Sequence, residues 1–467
     1  MLVLPCGAFV VFIGVWSILA DLAGDGIRLA ILHVGASCAL FLAWRQGRWG
    51  PAKYTSFGAV ALLVHAGFNG LAAIRVMVYG VGEDQWPETL SYPDNIIDTV
   101  FKGEVISLVG ILVLVVAWRW AVGRRVGELA IFRHLTLART DAAMTMYGLA
   151  LFAEIARRAA GMSFGPISQI AGIAVAFGIA SILVIASRQQ TVSRRLLLAF
   201  FLGLPFSFLA LSGGMKESIV FPLLPAGIVF WFGVRGIGAK LVVLVAALTA
   251  MSFLQLYVEY VRSVSWHSTH RYGTTALVSD FARSDRSGEA ARGFEALLSR
   301  FDMTLAHAIT VHIADTKGFL PGEIFGSIPA TFVPRAFWPE KPVQQPGAAH
   351  TARILGRSEL GVAEITSATA AGLFTEFYLG GGYIGLFAGS AGFGLALALL
   401  QLWVLRYGGQ FWSAGLSFLA AFWAVRMGEF HVVYAFTGLF FVGIFVWLFS
   451  RAFALFGFSG ILPIERR

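Results

Sequence analysis

Apolar runs, each close to the length of a bilayer-crossing helix, alternate with short polar connections along most of this chain. They constrain its fold more than any other feature. A span needs about 20 consecutive apolar residues. Such runs lie near 3–20, 27–44, 57–79, 105–122, 142–158, 166–187, 195–212, 218–234, 238–260, 381–405, 410–427 and 431–450. Membrane barrels instead alternate polar and apolar residues over segments of roughly ten. The expectation is an all-α polytopic membrane protein of about twelve transmembrane helices.

Composition agrees. Of 467 residues, 57% are hydrophobic and 13% charged, where a soluble domain carries roughly 25% charged residues. The N-terminus lacks a basic leader and a small-residue cleavage site, so it reads as a first span. Cys6 and Cys38 both sit in apolar runs, which excludes a disulfide framework and a cysteine metal cluster. The net charge of +9 lies mostly in connections between spans, which argues against nucleic acid as a partner.

The placement of Lys and Arg sets the orientation. Basic residues mark every even-numbered connection and the C-terminal end: Arg45 and Arg48, Arg124 and Arg125, Arg188 and Arg194, Arg235 and Lys240, Arg406, and Arg466 and Arg467. The third connection, with Glu83, Asp84 and Glu88, is acidic. Both termini are therefore expected in the cytoplasm, and the ninth connection on the periplasmic or cell-exterior side. Three parts follow: a bundle over 1–260, a large partly helical periplasmic loop over 261–380 between spans nine and ten, and a second bundle with a cytoplasmic tail over 381–467.

Charges that break this pattern are functional candidates. Arg75 lies in the outer part of the third span, Arg157 and Arg158 end the fifth, and Lys216 sits in a tight outer turn beside Glu217. Guanidinium and ammonium groups at headgroup level suit a phosphate or pyrophosphate. Snorkelling to the interface is the plain alternative, as is pairing of Glu154 with Arg157 or Arg158 at helical spacing.

Within the loop, Glu295 to Asp315 has an apolar stripe of helical period that includes Leu298, Phe301, Leu305 and Ile309, with Arg300 and His307 as polar exceptions. Residues 279–293 read as an exposed strip, and His267, His270, His312 and His350 show no metal-ligand spacing. Three prolines between Pro334 and Pro342 exclude a regular helix and present Arg335, Glu340 and Lys341 on a stiff segment. Thr375-Glu376-Phe377-Tyr378 follows just before Gly380-Gly381-Gly382 and the next span.

The arginine-bearing helix, the run from Gly322 to Ile328, the segment Pro334-Arg335-Ala336-Phe337-Trp338-Pro339-Glu340-Lys341-Pro342 and the stretch from Thr375 to Gly385 resemble the Wzy-type O-antigen or oligosaccharide repeat-unit polymerases. The turn and span from Gly213 to Leu224 are similar to that family's glycine and basic-residue turn, with Lys216 where many relatives carry arginine. The resemblance covers about 214–235 and 295–400; elsewhere only the topology is shared.

That resemblance implies a GT-C-like membrane glycosyltransferase that uses no nucleotide sugar and no cofactor or metal. The donor is an undecaprenyl-pyrophosphate-linked oligosaccharide, and a hydroxyl at the non-reducing end of a second lipid-linked unit attacks its anomeric carbon. A flippase and a chain-length regulator of the same pathway are the implied protein partners, beside the lipid bilayer. Cations must stabilise the departing pyrophosphate; Arg75, Arg157, Arg158, Lys216, Arg300, Arg335 and Lys341 are the candidates. A base must take the hydroxyl proton. Glu376 is the first candidate, then His307 and Glu364; for Glu376 the alternative is a carboxylate favouring a helix N-terminus.

An O-antigen ligase or single-sugar transferase remains open, Asp21 and Asp25 being a superficial match to the acidic loop of another GT-C branch. A flippase or transporter is the other class. Transporters tend to show repeats and broken helices, and the sequence displays no convincing repeat.

Overall fold

The computed structural model describes residues 61, 65, 86–123, 125, 140–159, 166–211, 216–234, 236–265, 274–283, 303–333, 338, 346–354, 371–427 and 431–455. Every regular element among them is helical: α1 (Ile96–Val122), α2 (Thr140–Ala159), α3 (Pro166–Ser187), α4 (Val192–Ala210), α5 (Lys216–Val220), α6 (Leu224–Gly233), α7 (Ile237–Ser265), α8 (Thr274–Arg283), α9 (Thr304–Lys317), α10 (Pro321–Ile324), α11 (Ser327–Phe332), α12 (Pro346–Ile354), α13 (Leu373–Trp403), α14 (Gly409–Arg426) and α15 (Val432–Leu455). Six stretches among these helices are long and apolar enough to cross a membrane: Ile96–Val122, Ile170–Ser187, Val192–Ala210, Gly238–Val261, Leu373–Arg406 and Val432–Ala452. They suit a multi-pass membrane protein. The three expected spans near 3–20, 27–44 and 57–79 lie outside the described residues, apart from Ala61 and His65.

Two compact units emerge. One comprises residues 1–130, 301–402 and 420–443; the other comprises 131–300, 403–419 and 444–467.

In the first unit, α1 is the central scaffold. Asn95 caps it by accepting from the Ile97 and Asp98 N–H groups, and Asp98 and Arg119 complement the dipole at its two ends. Its buried residues Val100, Gly103, Glu104, Ser107, Ile111, Leu114 and Trp118 recur at helical spacing. Gly103 lets α9 pack closely, since a Cβ there would stand 3.1 Å from the Ala308 nitrogen. Further along, Gly110 meets the Phe374 ring, and Trp118 Nε1 donates to Gln401 Oε1 at 2.6 Å. The loop helix expected over 295–315 is realised as α9, starting at Thr304; residues 295–302 lie outside the described residues.

Helix α13 is broken at Gly381 and Gly382, where the backbone leaves helical geometry. Gly382 has φ +60, a left-handed conformation that L side chains rarely adopt. Across the break Gly389 packs on the Phe377 ring, whereas an unbroken helix would set the two backbones roughly 18 Å apart. The segment before the break is braced by Leu320, whose N–H donates to Leu379 O at 2.8 Å, and by Phe325 stacked on Phe377.

The second unit holds α2, α3, α4, α5, α6, α7 and α8 with parts of α14 and α15. Gly178 of α3 meets Ala150 of α2, and Tyr147 donates to Leu202 O at 2.9 Å. Phe177 packs against Trp412 and Phe445. Apolar side chains such as Phe152, Phe201, Phe208 and Val242 point outward, as expected where hydrocarbon replaces water as the solvent.

Candidate functional site

The first unit gathers two carboxylate–histidine pairs and a third histidine. Glu376 lies in the first turn of α13, and His431 immediately precedes α15. The side chains meet with Glu376 Oε1 3.0 Å from His431 Nδ1, and Oε2 accepts the Val432 N–H, so both carboxylate oxygens are engaged. Glu376 is 3% exposed and His431 5%. The carboxylate thus favours the N-terminus of its own helix and accepts the first backbone N–H of α15. An ionised carboxylate only accepts, so with Glu376 in that state the hydrogen of this contact lies on His431 Nδ1.

His350, on α12, stands beside this pair, its ring centroid 6.5 Å from that of His431. It is 1% exposed. Its Nε2 faces Thr310 Oγ1 at 3.3 Å, and that hydroxyl donates to Ala306 O at 2.8 Å. Burial, then the neighbouring His431 and Arg353, push its pKa down to about 3. His350 is therefore neutral at any physiological pH.

The second pair joins α9 to α1: His307 Nδ1 is 2.9 Å from Glu104 Oε1, both side chains buried. Gly372, with φ +81, presses on the far edge of this ring; a Cβ there would lie 2.7 Å from His307 Nε2. Thr310, one turn after His307, connects the two regions, because its hydroxyl also lies 3.4 Å from Ala371 O, just before α13.

A more exposed group lies on another face of α9. Lys102 reaches Asp315 at 2.6 Å, Tyr378 donates to the other Asp315 oxygen at 2.9 Å, and the ammonium stands 5.3 Å from the Tyr378 ring centre. His312 Nε2 is 3.2 Å from Ser91 Oγ and its ring meets Trp86; burial is the largest of the influences on it and lowers its pKa. Among the described residues no group of three or more His, Cys, Asp or Glu is arranged to hold a metal.

Of the residues singled out in the sequence, the structure places Glu376 and His307 in these buried pairs. Arg157 and Arg158, in the second unit, both reach Glu154: Arg157 donates from Nε at 2.9 Å and Nη2 at 2.8 Å, and Arg158 from Nε at 2.5 Å. Lys216 opens α5, and its side chain lies outside the described residues. Arg75, Arg300, Arg335, Lys341 and Glu364 also lie outside them.

Glu104 and His431 were not among the sequence candidates. Each is an ionisable residue at or inside an apolar helix, a feature that by itself marks a functional hypothesis. Glu104 directly precedes the apolar run near 105–122, which hides it from a reading of charges inside spans.

No curated protein and no solved structure matches the chain. Residues 131–456, well over half of its length, match a family model described as a domain of unknown function. His307, His350, Glu376 and His431 fall within that match and Glu104 precedes it. The chain belongs to this family, DUF8712.

Proposed function

We propose that the chain is an outward-facing membrane glycosyltransferase that polymerises undecaprenyl-pyrophosphate-linked oligosaccharides, with twelve spans, both termini in the cytoplasm of a bacterial inner membrane, and residues 261–380 on the periplasmic side. The observation that carries this reading is the Glu376–His431 pair, a buried carboxylate holding an imidazole at the head of two apolar helices. A carboxylate on Nδ1–H orients the ring and leaves Nε2 to accept a proton.

In this mechanism the acceptor hydroxyl oxygen forms a bond to the donor's anomeric carbon. The bond from that carbon to the pyrophosphate oxygen breaks, undecaprenyl pyrophosphate leaves with the electron pair, and the hydroxyl proton passes to His431 Nε2. Glu376, with both oxygens already accepting, positions the base. The departing pyrophosphate needs cations, a role the sequence offers to Arg335 and Lys341.

The test is to incubate the purified full chain with lipid-linked repeat units extracted from producing cells and resolve the products by size. A ladder of lengthened glycans is expected. Its absence, with bound substrate intact, sinks the reading.

One observation favours a second reading. The break at Gly381 and Gly382 gives α13 the discontinuous form common in transporters. Transbilayer movement of a labelled lipid-linked glycan in vesicles, with no new glycosidic bond, selects a flippase instead.

A further inference from the structure

The mechanism above leaves His350 without a task, yet its environment is too specific for a filler residue. Thr310 donates to Ala306 O, so its oxygen accepts from His350 Nε2–H. That places the lone pair of His350 on Nδ1. This atom is buried and has no hydrogen-bond partner among the described residues. A buried acceptor without a donor costs free energy unless something supplies one. The ring of His431, the proton acceptor proposed above, stands 6.5 Å away between centroids.

We infer that His350 Nδ1 accepts the hydrogen of a second acceptor-saccharide hydroxyl, adjacent to the attacking one, and so sets the attacking hydroxyl, its own hydrogen uncommitted, beside His431. The inference rests on the glycosyltransferase reading. An uncharged lone pair suits a hydroxyl donor and offers nothing to a pyrophosphate anion, which needs cations. His350 also stays neutral because of its burial, so it serves as an acceptor of a hydrogen bond and leaves the proton to His431. It is a positioning residue: it fixes where the nucleophilic oxygen stands, and misplacing such a group by an ångström costs roughly 10²-fold in rate.

Two substitutions separate this role from a structural one. His350→Asn sets an amide oxygen near the Nδ1 position and gives up the Thr310 contact. His350→Gln reaches Thr310 and gives up the Nδ1 acceptor. If His350 positions the hydroxyl, the Asn variant retains most of the turnover, while the Gln variant loses roughly 10²-fold with a raised KM for the acceptor. The opposite order overturns the inference.

A binding measurement keeps the test independent of turnover. Full-length protein labelled with 15N-histidine, in nanodiscs, is titrated with undecaprenyl-pyrophosphate-linked oligosaccharides extracted from producing cells. In parallel it is titrated with undecaprenyl pyrophosphate alone. The His350 Nδ1 resonance is expected to move with the glycan-bearing lipid and stay with the bare carrier. A ladder of products with no movement overturns the inference and leaves the enzyme reading standing. Movement without a ladder supports the hydroxyl site and removes the enzyme reading. Equal movement with both lipids overturns the inference, since the glycan then plays no part.

Discussion

Glu376 Oε1 stands 3.0 Å from His431 Nδ1, and the same carboxylate accepts the Val432 N–H through its other oxygen. One side chain therefore orients an imidazole and caps a helix, and substitution should reveal both roles.

For the dyad, His431→Gln and Glu376→Gln are each expected to lower polymer formation by about 10²–10⁴-fold. The double variant should be little worse than either single one, because groups that act as a unit are non-additive. Rates of ladder growth at saturating lipid-linked substrate check this. Near-normal polymerisation by Glu376→Gln would leave Glu376 as a helix-end carboxylate and make His307 the next residue to test.

The Glu104–His307 pair is expected to matter for stability. Glu104→Ala leaves His307 Nδ1 buried without that acceptor and should cost about 1–3 kcal/mol. Gly372→Ala should act on the same ring, since its Cβ would stand 2.7 Å from His307 Nε2 in a backbone conformation already unfavourable for alanine. Thermal unfolding of the singles and the double variant in one detergent tests this; fully additive losses would show that Gly372 does not act through His307.

Acid should destabilise the protein through His350. Its pKa is about 3 when folded, against roughly 6.5 for an unperturbed histidine. Between these values the unfolded chain binds the extra proton, so stability is present above the unfolded pKa and falls as pH drops from about 6.5 toward 3. The lowered pKa of His312 adds a contribution of the same sign. Unfolding temperature measured against pH should fall less steeply for His350→Asn than for the unaltered chain. Parallel curves would remove His350 from the account.

Topology can be tested by labelling. Single cysteines near Ser284 should react with an impermeant reagent from the periplasm, and those near Gln190 and Arg467 only after the membrane is opened. The warrant is the Lys and Arg asymmetry of the connections. Labelling near Ser284 from the cytoplasmic side would invert the orientation and remove the outward-facing enzyme with it.

The helical, membrane-suited architecture was legible in the residues alone. Hydrocarbon offers backbone groups no hydrogen bonds, so a run of about 20 apolar residues has essentially one solution. The fork of Arg157 and Arg158 on Glu154 was legible as well, because partners three and four apart face each other on any helix. The glycine run Gly380-Gly381-Gly382 was legible as the entry to a span, but the start of helical structure at Leu373 and its break at Gly381 and Gly382 were not. Nor were the pairs that make the candidate site. Glu104 and His307 are separated by 203 positions and Glu376 and His431 by 55, and no local period links them. From the sequence Glu376 reads as a base at a membrane edge; its contact with His431 exists only because α13 packs beside the start of α15. His350 shows the same limit. Its lone pair became a site because α9 supplied Thr310 to one ring nitrogen and nothing to the other, a difference that exists only once helices distant in sequence are brought together.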